Sequence, residues 1–230
     1  MDRQVHCGWA AAGGAGFGRA YGERVERVLT SKGTATRQRI VEGAAALVRD
    51  RGAANVSLDD IRAATSTSKS QLFHYFPDGR SDLLLAVARY EAQQVLDDQQ
   101  PMLGQLTSRA AWEAWRDRVI EKYRAQGPGC PLSALTSQLG LADPAIRGVV
   151  TGLYARWHRY LADGVRALAA AGEIDPGTDV AGTATTILTA VAGGATLLMA
   201  TGDISSLETA LTAAVNDLGR SSNQAWSEVR

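Results

Sequence analysis

Residues 66–80 read STSKSQLFHYFPDGR and gather three aromatic rings, a histidine and two cations into one short stretch. The residue types suit recognition rather than bond-making. Lys69 and Arg80 offer charge to phosphate groups. Ser68, Ser70 and Gln71 are short polar groups, and a glutamine can pair through two hydrogen bonds with the N6 and N7 edge of adenine. His74 and Tyr75 can donate to phosphate oxygens. Leu72 and Phe76 stand four apart and are expected to face a core, as is Phe73.

Such a surface has to be held by helices, and the surrounding sequence predicts them. TATRQRIVEGAAALVRDRG keeps Ile40, Ala44, Leu47 and Val48 on one face from Thr34 onward and stops at Gly52. Ser57 caps a short helix over Leu58–Ala64, with Asp60 placed as the reciprocal partner of a capping box. Ser68 and Gln71 repeat that pattern for a second short helix, Lys69 to Phe76. A Pro-Asp-Gly turn breaks it, and a long helix follows from Arg80 to Gln99. Two short helices joined by about four residues, after a longer supporting one, form a helix-turn-helix. Its second helix would present its first residues to the major groove. Residues 31–90 carry nine Lys/Arg against six Asp/Glu, whereas residues 91–230 carry 11 against 15. The sign suits a nucleic-acid-facing front on a more acidic body.

Residues 36–87, from TRQRIVEGAAAL to RSDLLLAV, resemble the amino-terminal DNA-binding domain of the TetR family of transcriptional regulators. The GCP at Gly129–Pro131 and the PDGR turn look like a branch with a glycine-lengthened turn before the fourth helix. Three positions depart from the family pattern. Ser66 replaces the usual turn glycine, Phe73 replaces a tyrosine, and Arg80 comes one residue late. The resemblance implies phosphate contacts at Thr36, Ser57, Lys69, Tyr75 and Arg80, and base-edge contacts near Ser70, Gln71 and His74. Thr36 and Ser57 read equally as helix caps, and His74 also reads as a solvated surface residue. It further implies a homodimeric regulator in the cytoplasm, most often a repressor, that reads a palindromic double-stranded operator and is released by a small-molecule effector. An all-helical ligand-binding or interaction protein that no longer binds DNA is the alternative, kept open by Ser66 and Phe73.

The body is expected to be helical too, over 108–126, 131–140, 144–171, 178–201 and 204–219. The fold class is therefore all-α, about nine helices, with no period-two stretch to make a sheet. Domain boundaries are expected at 1–30 (tail), 31–79 (DNA-binding), 80–220 (effector binding and dimerisation) and 221–230 (tail). Aromatic residues on three body helices read as core or as the lining of an apolar pocket between bundle helices. The candidate lining is Trp112, Trp115, Tyr123, Leu135, Gln138, Leu139, Trp157, Leu161, Leu188 and Thr189. The last two helices, with Gly193-Gly194 permitting close backbone approach, are expected to pair with a second subunit as a four-helix interface.

Other chemistry lacks its residues. No Cys/His spacing fits a zinc site, and neither a nucleophile elbow nor a phosphate loop is present, so an enzyme, a metal and a cofactor are not expected. Two cysteines, Cys7 and Cys130, indicate no disulfide framework. Val180 to Gly202 is uncharged but rich in Ala, Gly and Thr, which reads as a buried helix rather than a membrane span. Residues 1–28 lack a periodic apolar face. They are expected to be flexible: either an arm that touches DNA or translated sequence upstream of a later start near Val28 or Leu29.

Overall fold

The computed structural model describes residues 29–129, 139 and 143–218. Among these the chain forms eight α-helices: α1 (Ser31–Arg51), α2 (Leu58–Ala64), α3 (Lys69–Tyr75), α4 (Arg80–Asp97), α5 (Arg109–Gln126), α6 (Pro144–Ala170), α7 (Val180–Thr201) and α8 (Ser205–Asn216). The helix expected over 131–140 lies outside the described residues apart from Leu139. No strand occurs among the described residues.

Local signals set the boundaries. α1 begins before the expected Thr34 because the Thr30 hydroxyl accepts from Gly33 N at 3.1 Å and so caps the helix. Both predicted capping boxes form: Ser57 with Asp60, and Ser68 with Gln71. The two hydrogen bonds from Ser57 hold the Asp60 carboxyl below its usual range. Asp143 caps α6 through Ala145 N at 2.8 Å, with Pro144 in the first turn. The buried stripe of α6 runs through Ile146, Val150, Leu153, Trp157, Leu161, Val165 and Leu168.

α1 packs on α2 and α4; α4 also packs on α6, α6 on α7, and α7 on α8. One continuous apolar core links all these layers. α4 therefore belongs to both ends of the molecule. Its Glu91 is fully buried and pairs with the Arg49 guanidinium at the end of α1. Burial raises the Glu91 pKa despite that cation.

The glycine pair in α7 divides in two. A Cβ on Gly194 would meet the Leu207 backbone at 2.6 Å, so Gly194 serves the approach of α8 in the same chain. Gly193 has open space above it. α7 is long and apolar enough to cross a membrane by length and composition, with mean hydropathy 1.5. Within one chain the helix is buried in part, 33% of its most apolar stretch being covered. The reason is geometric: α6 and α8 cover two sides of α7, and the residues between them, including Leu197, remain exposed.

Candidate nucleic-acid interface

The turn between α2 and α3 is fixed by hydrogen bonds that the local sequence supplies. The Thr65 hydroxyl donates to Ile61 O at 2.7 Å and lies 2.9 Å from the Thr67 hydroxyl, and both threonines are buried. Arg39 of α1 donates to Thr65 O. Gly43 makes the approach possible, since a Cβ there would stand 2.3 Å from Thr65 Cγ2. Ser66, in the usual glycine position, sits at φ 48°, a left-handed conformation costly for a residue with a Cβ.

Beneath the turn, Ile61, Leu72 and Phe76 are buried in the same apolar core as Ile40, Val41 and Ala44 of α1. Arg37 lies over the Phe76 ring at 5.3 Å. Leu72 and Phe76 consume the buried face of a seven-residue helix. Phe73, about 100° around that helix, does not join the core as expected: it is 40% exposed.

The outer face of α3 carries Ser68, Lys69, Ser70, Gln71, Phe73 and His74, all exposed. The Ser68 and Ser70 hydroxyls lie 3.2 Å apart. The Gln71 amide oxygen accepts from Ser68 N at 3.1 Å, so two-point reading of an adenine requires that cap bond to open. Tyr75 is half-buried, meets His74 edge-on at 4.9 Å, and holds its hydroxyl over Gly33. The amino end of α1 is thereby set beside the carboxyl end of α3. Thr36 is half-buried on α1 and donates to Lys32 O at 2.9 Å. Ser57 is exposed at the start of α2. The expected phosphate contacts at Thr36, Ser57, Lys69 and Tyr75 thus come from the starts of α1 and α2 and both ends of α3.

Arg80, expected at a phosphate, also has a structural place. Its guanidinium donates to Val56 O and Ala53 O and ties the first turn of α4 to the loop between α1 and α2. These bonds occupy two of the guanidinium nitrogens of Arg80, which is half-buried.

In the body, Trp112, Trp115, Trp157 and Leu161 are fully buried, Tyr123 and Leu139 are buried, Leu188 is half-buried and Thr189 is exposed. Leu135 and Gln138 lie outside the described residues. Trp112 and Trp115 stack edge-on at 5.6 Å. Trp115 Nε1 donates to the buried Gln99 at 3.0 Å, a partner that sequence reasoning missed. The indole N–H groups of Trp112 and Trp157 are buried and have no hydrogen-bond partner among the described residues. Glu91 was also missed, though a carboxylate within the Ala88, Ala92, Val95 stripe of α4 was a legible signal of a buried polar contact.

Comparisons with known proteins bear on both ends. Residues 40–87 match the family described as bacterial regulatory proteins, tetR family, and residues 107–214 match the tetracyclin repressor-like C-terminal domain. Together these span more than half of the chain. A protein of Mycobacterium tuberculosis, described as an uncharacterised HTH-type transcriptional regulator, is 28% identical over 145 residues, covering 56% of this chain and 71% of the relative. The crystal structure of a TetR transcriptional regulator from Chloroflexus aurantiacus is 27% identical with a TM-score of 0.69, covering 82% of this chain and 96% of that one. A TetR-family regulator from Cytophaga hutchinsonii shares the fold at 20% identity, with a TM-score of 0.68, covering 83% and 96%.

Proposed function

The chain belongs to the TetR family of DNA-binding transcriptional regulators, and we propose that it is a cytoplasmic repressor that binds a palindromic operator as a homodimer and leaves it when a small molecule enters the body. The observation that carries the reading is the exposed polar face of α3 on a turn locked to α1. Lys69, Thr36, Ser57 and Tyr75 hold phosphates, while Ser68, Ser70, Gln71 and His74 face base edges. α7 and α8 supply the subunit interface, since their outer face keeps Leu197 48% exposed. Two-fold pairing then sets two recognition helices about one turn of DNA apart. The buried N–H groups of Trp112 and Trp157, without a partner among the described residues, support a polar effector in the body, because a buried donor left unpaired costs about 1–3 kcal/mol.

Selection of bound genomic fragments followed by footprinting tests this. A protected palindrome at moderate salt supports it, and no enriched sequence removes it. Lys69→Ala should weaken all DNA and lower the salt slope by about one unit. Gln71→Ala should relax preference at one base position at a cost of about 1–3 kcal/mol.

A further inference from the structure

Between α4 and α6 runs an open groove of about 520 Å³. Arg89 of α4 and Arg156 and Arg159 of α6 line it, and no acidic residue does. Val149 and Gly152 of α6 give it an apolar, low floor, and nothing lies within 4 Å of where a Gly152 Cβ would stand. Arg49, Arg62, Arg116, Arg118, Arg124 and Arg166 each meet a carboxylate. Arg89 and Arg159 have neither a hydrogen bond nor an ion pair among the described residues. Arg156 donates to Gln93 Oε1 at 3.1 Å, and Gln93 Nε2 donates to Asp97 at 2.8 Å. The amide is oriented from behind, and it holds one guanidinium along the groove wall.

Three exposed arginines around one recess concentrate positive charge there, and planar guanidinium forks match phosphate and carboxylate oxygens in pairs. The volume falls in the range of small-molecule sites, about 300–1,000 Å³. We infer that this groove binds an anionic small molecule, its phosphate or carboxylate groups held by Arg89, Arg156 and Arg159 and its apolar part resting on Val149 and the bare backbone at Gly152. None of the residues expected to line the effector pocket lines this groove, so the inference stands apart from the reading of effector release. Arg89 lies nine residues beyond Arg80, about 13.5 Å along α4. A ligand here therefore bridges the body to the helix that carries the DNA-binding end.

Titration calorimetry of the full chain at constant ionic strength tests it, with sodium pyrophosphate and sodium citrate as separate probes. Saturable binding of one probe per chain is expected, weakened about tenfold or more by Arg89→Gln and by Arg156→Gln. Arg118→Gln, which alters an exposed pair, should leave it unchanged. The tighter probe assigns the anion as phosphate or carboxylate. Arg159→Gln replaces either groove variant that melts early. Failure of both probes to saturate below about 10 mM overturns the inference, as does unaltered binding by the variants. Loss of random-duplex affinity with probe binding intact also overturns it and makes the groove a DNA-backbone contact.

Discussion

The two ends of the molecule are built on opposite terms. At the helix-turn-helix the chain completes itself: Leu72, Phe76 and Ile61 are buried in the common core, the turn is bonded through Thr65 and Thr67, and Arg39 and Arg80 donate to backbone carbonyls of the turn and of the loop after α1. What remains outside on α3 is polar apart from Phe73. At the α7–α8 end the inner stripe, Leu207, Leu211, Val215, Ile187 and Val191, is buried, but the open outer face of α7 is uncharged, with Leu197 exposed among small residues and threonines. One end is finished within one chain and offers hydrogen bonds. The other is unfinished and offers area. A surface that must exchange water for DNA can be polar, whereas a permanent partner is bound by apolar burial.

The contrast can be broken most severely from below the recognition helix. Phe76→Ala should cost about 3–5 kcal/mol in denaturant unfolding, because the ring fills a fully closed core. A cost under about 1 kcal/mol would mean that this end is less complete than it looks.

The glycine pair tests the other end. Gly194→Val pushes a side chain into the Leu207 backbone and should cost about 1–3 kcal/mol in thermal unfolding. Gly193→Ala faces open space and should stabilise the isolated chain by up to about 1 kcal/mol through helix propensity. Equal destabilisation by both would show that a second subunit presses on Gly193 as closely as α8 presses on Gly194.

Leu197→Glu should leave chain stability within about 0.5 kcal/mol, since the residue is half exposed. Sedimentation equilibrium should show dimer dissociation about tenfold easier, or 1.4 kcal/mol. An unchanged dimer would move the interface elsewhere.

The smallest effect returns to the finished end. Ser66→Gly relieves a positive φ and should raise stability by no more than about 1 kcal/mol, because the more flexible unfolded chain offsets part of the gain. A drop in stability would show that the serine side chain makes a contact worth more than its strain.

The legible parts of the fold share one property. The capping boxes at Ser57 and Ser68, the Asp143-Pro144 start and the stop at Gly52 all act across four residues or fewer, so the chain spells them out locally. The same holds for the polar row of α3 that faces outward. Phe73 was misread because its type favours a core, whereas a seven-residue helix already fills its buried face with Leu72 and Phe76.

The sequence by itself determined the helices, the turn and which polar side chains stand at the start of α3, because hydrogen bonds between near neighbours and hydrophobic periodicity need no knowledge of distant partners. Only the tertiary structure decided how long side chains are spent. It sent Arg80 to Val56 and Ala53, paired Arg49 with Glu91 across 42 residues, gave Gly194 to α8, and left Arg89 facing Arg156 and Arg159 across a groove. A guanidinium reaches any acceptor that the packed backbone brings near, so its partner is a property of the assembled fold and not of its own place in the chain.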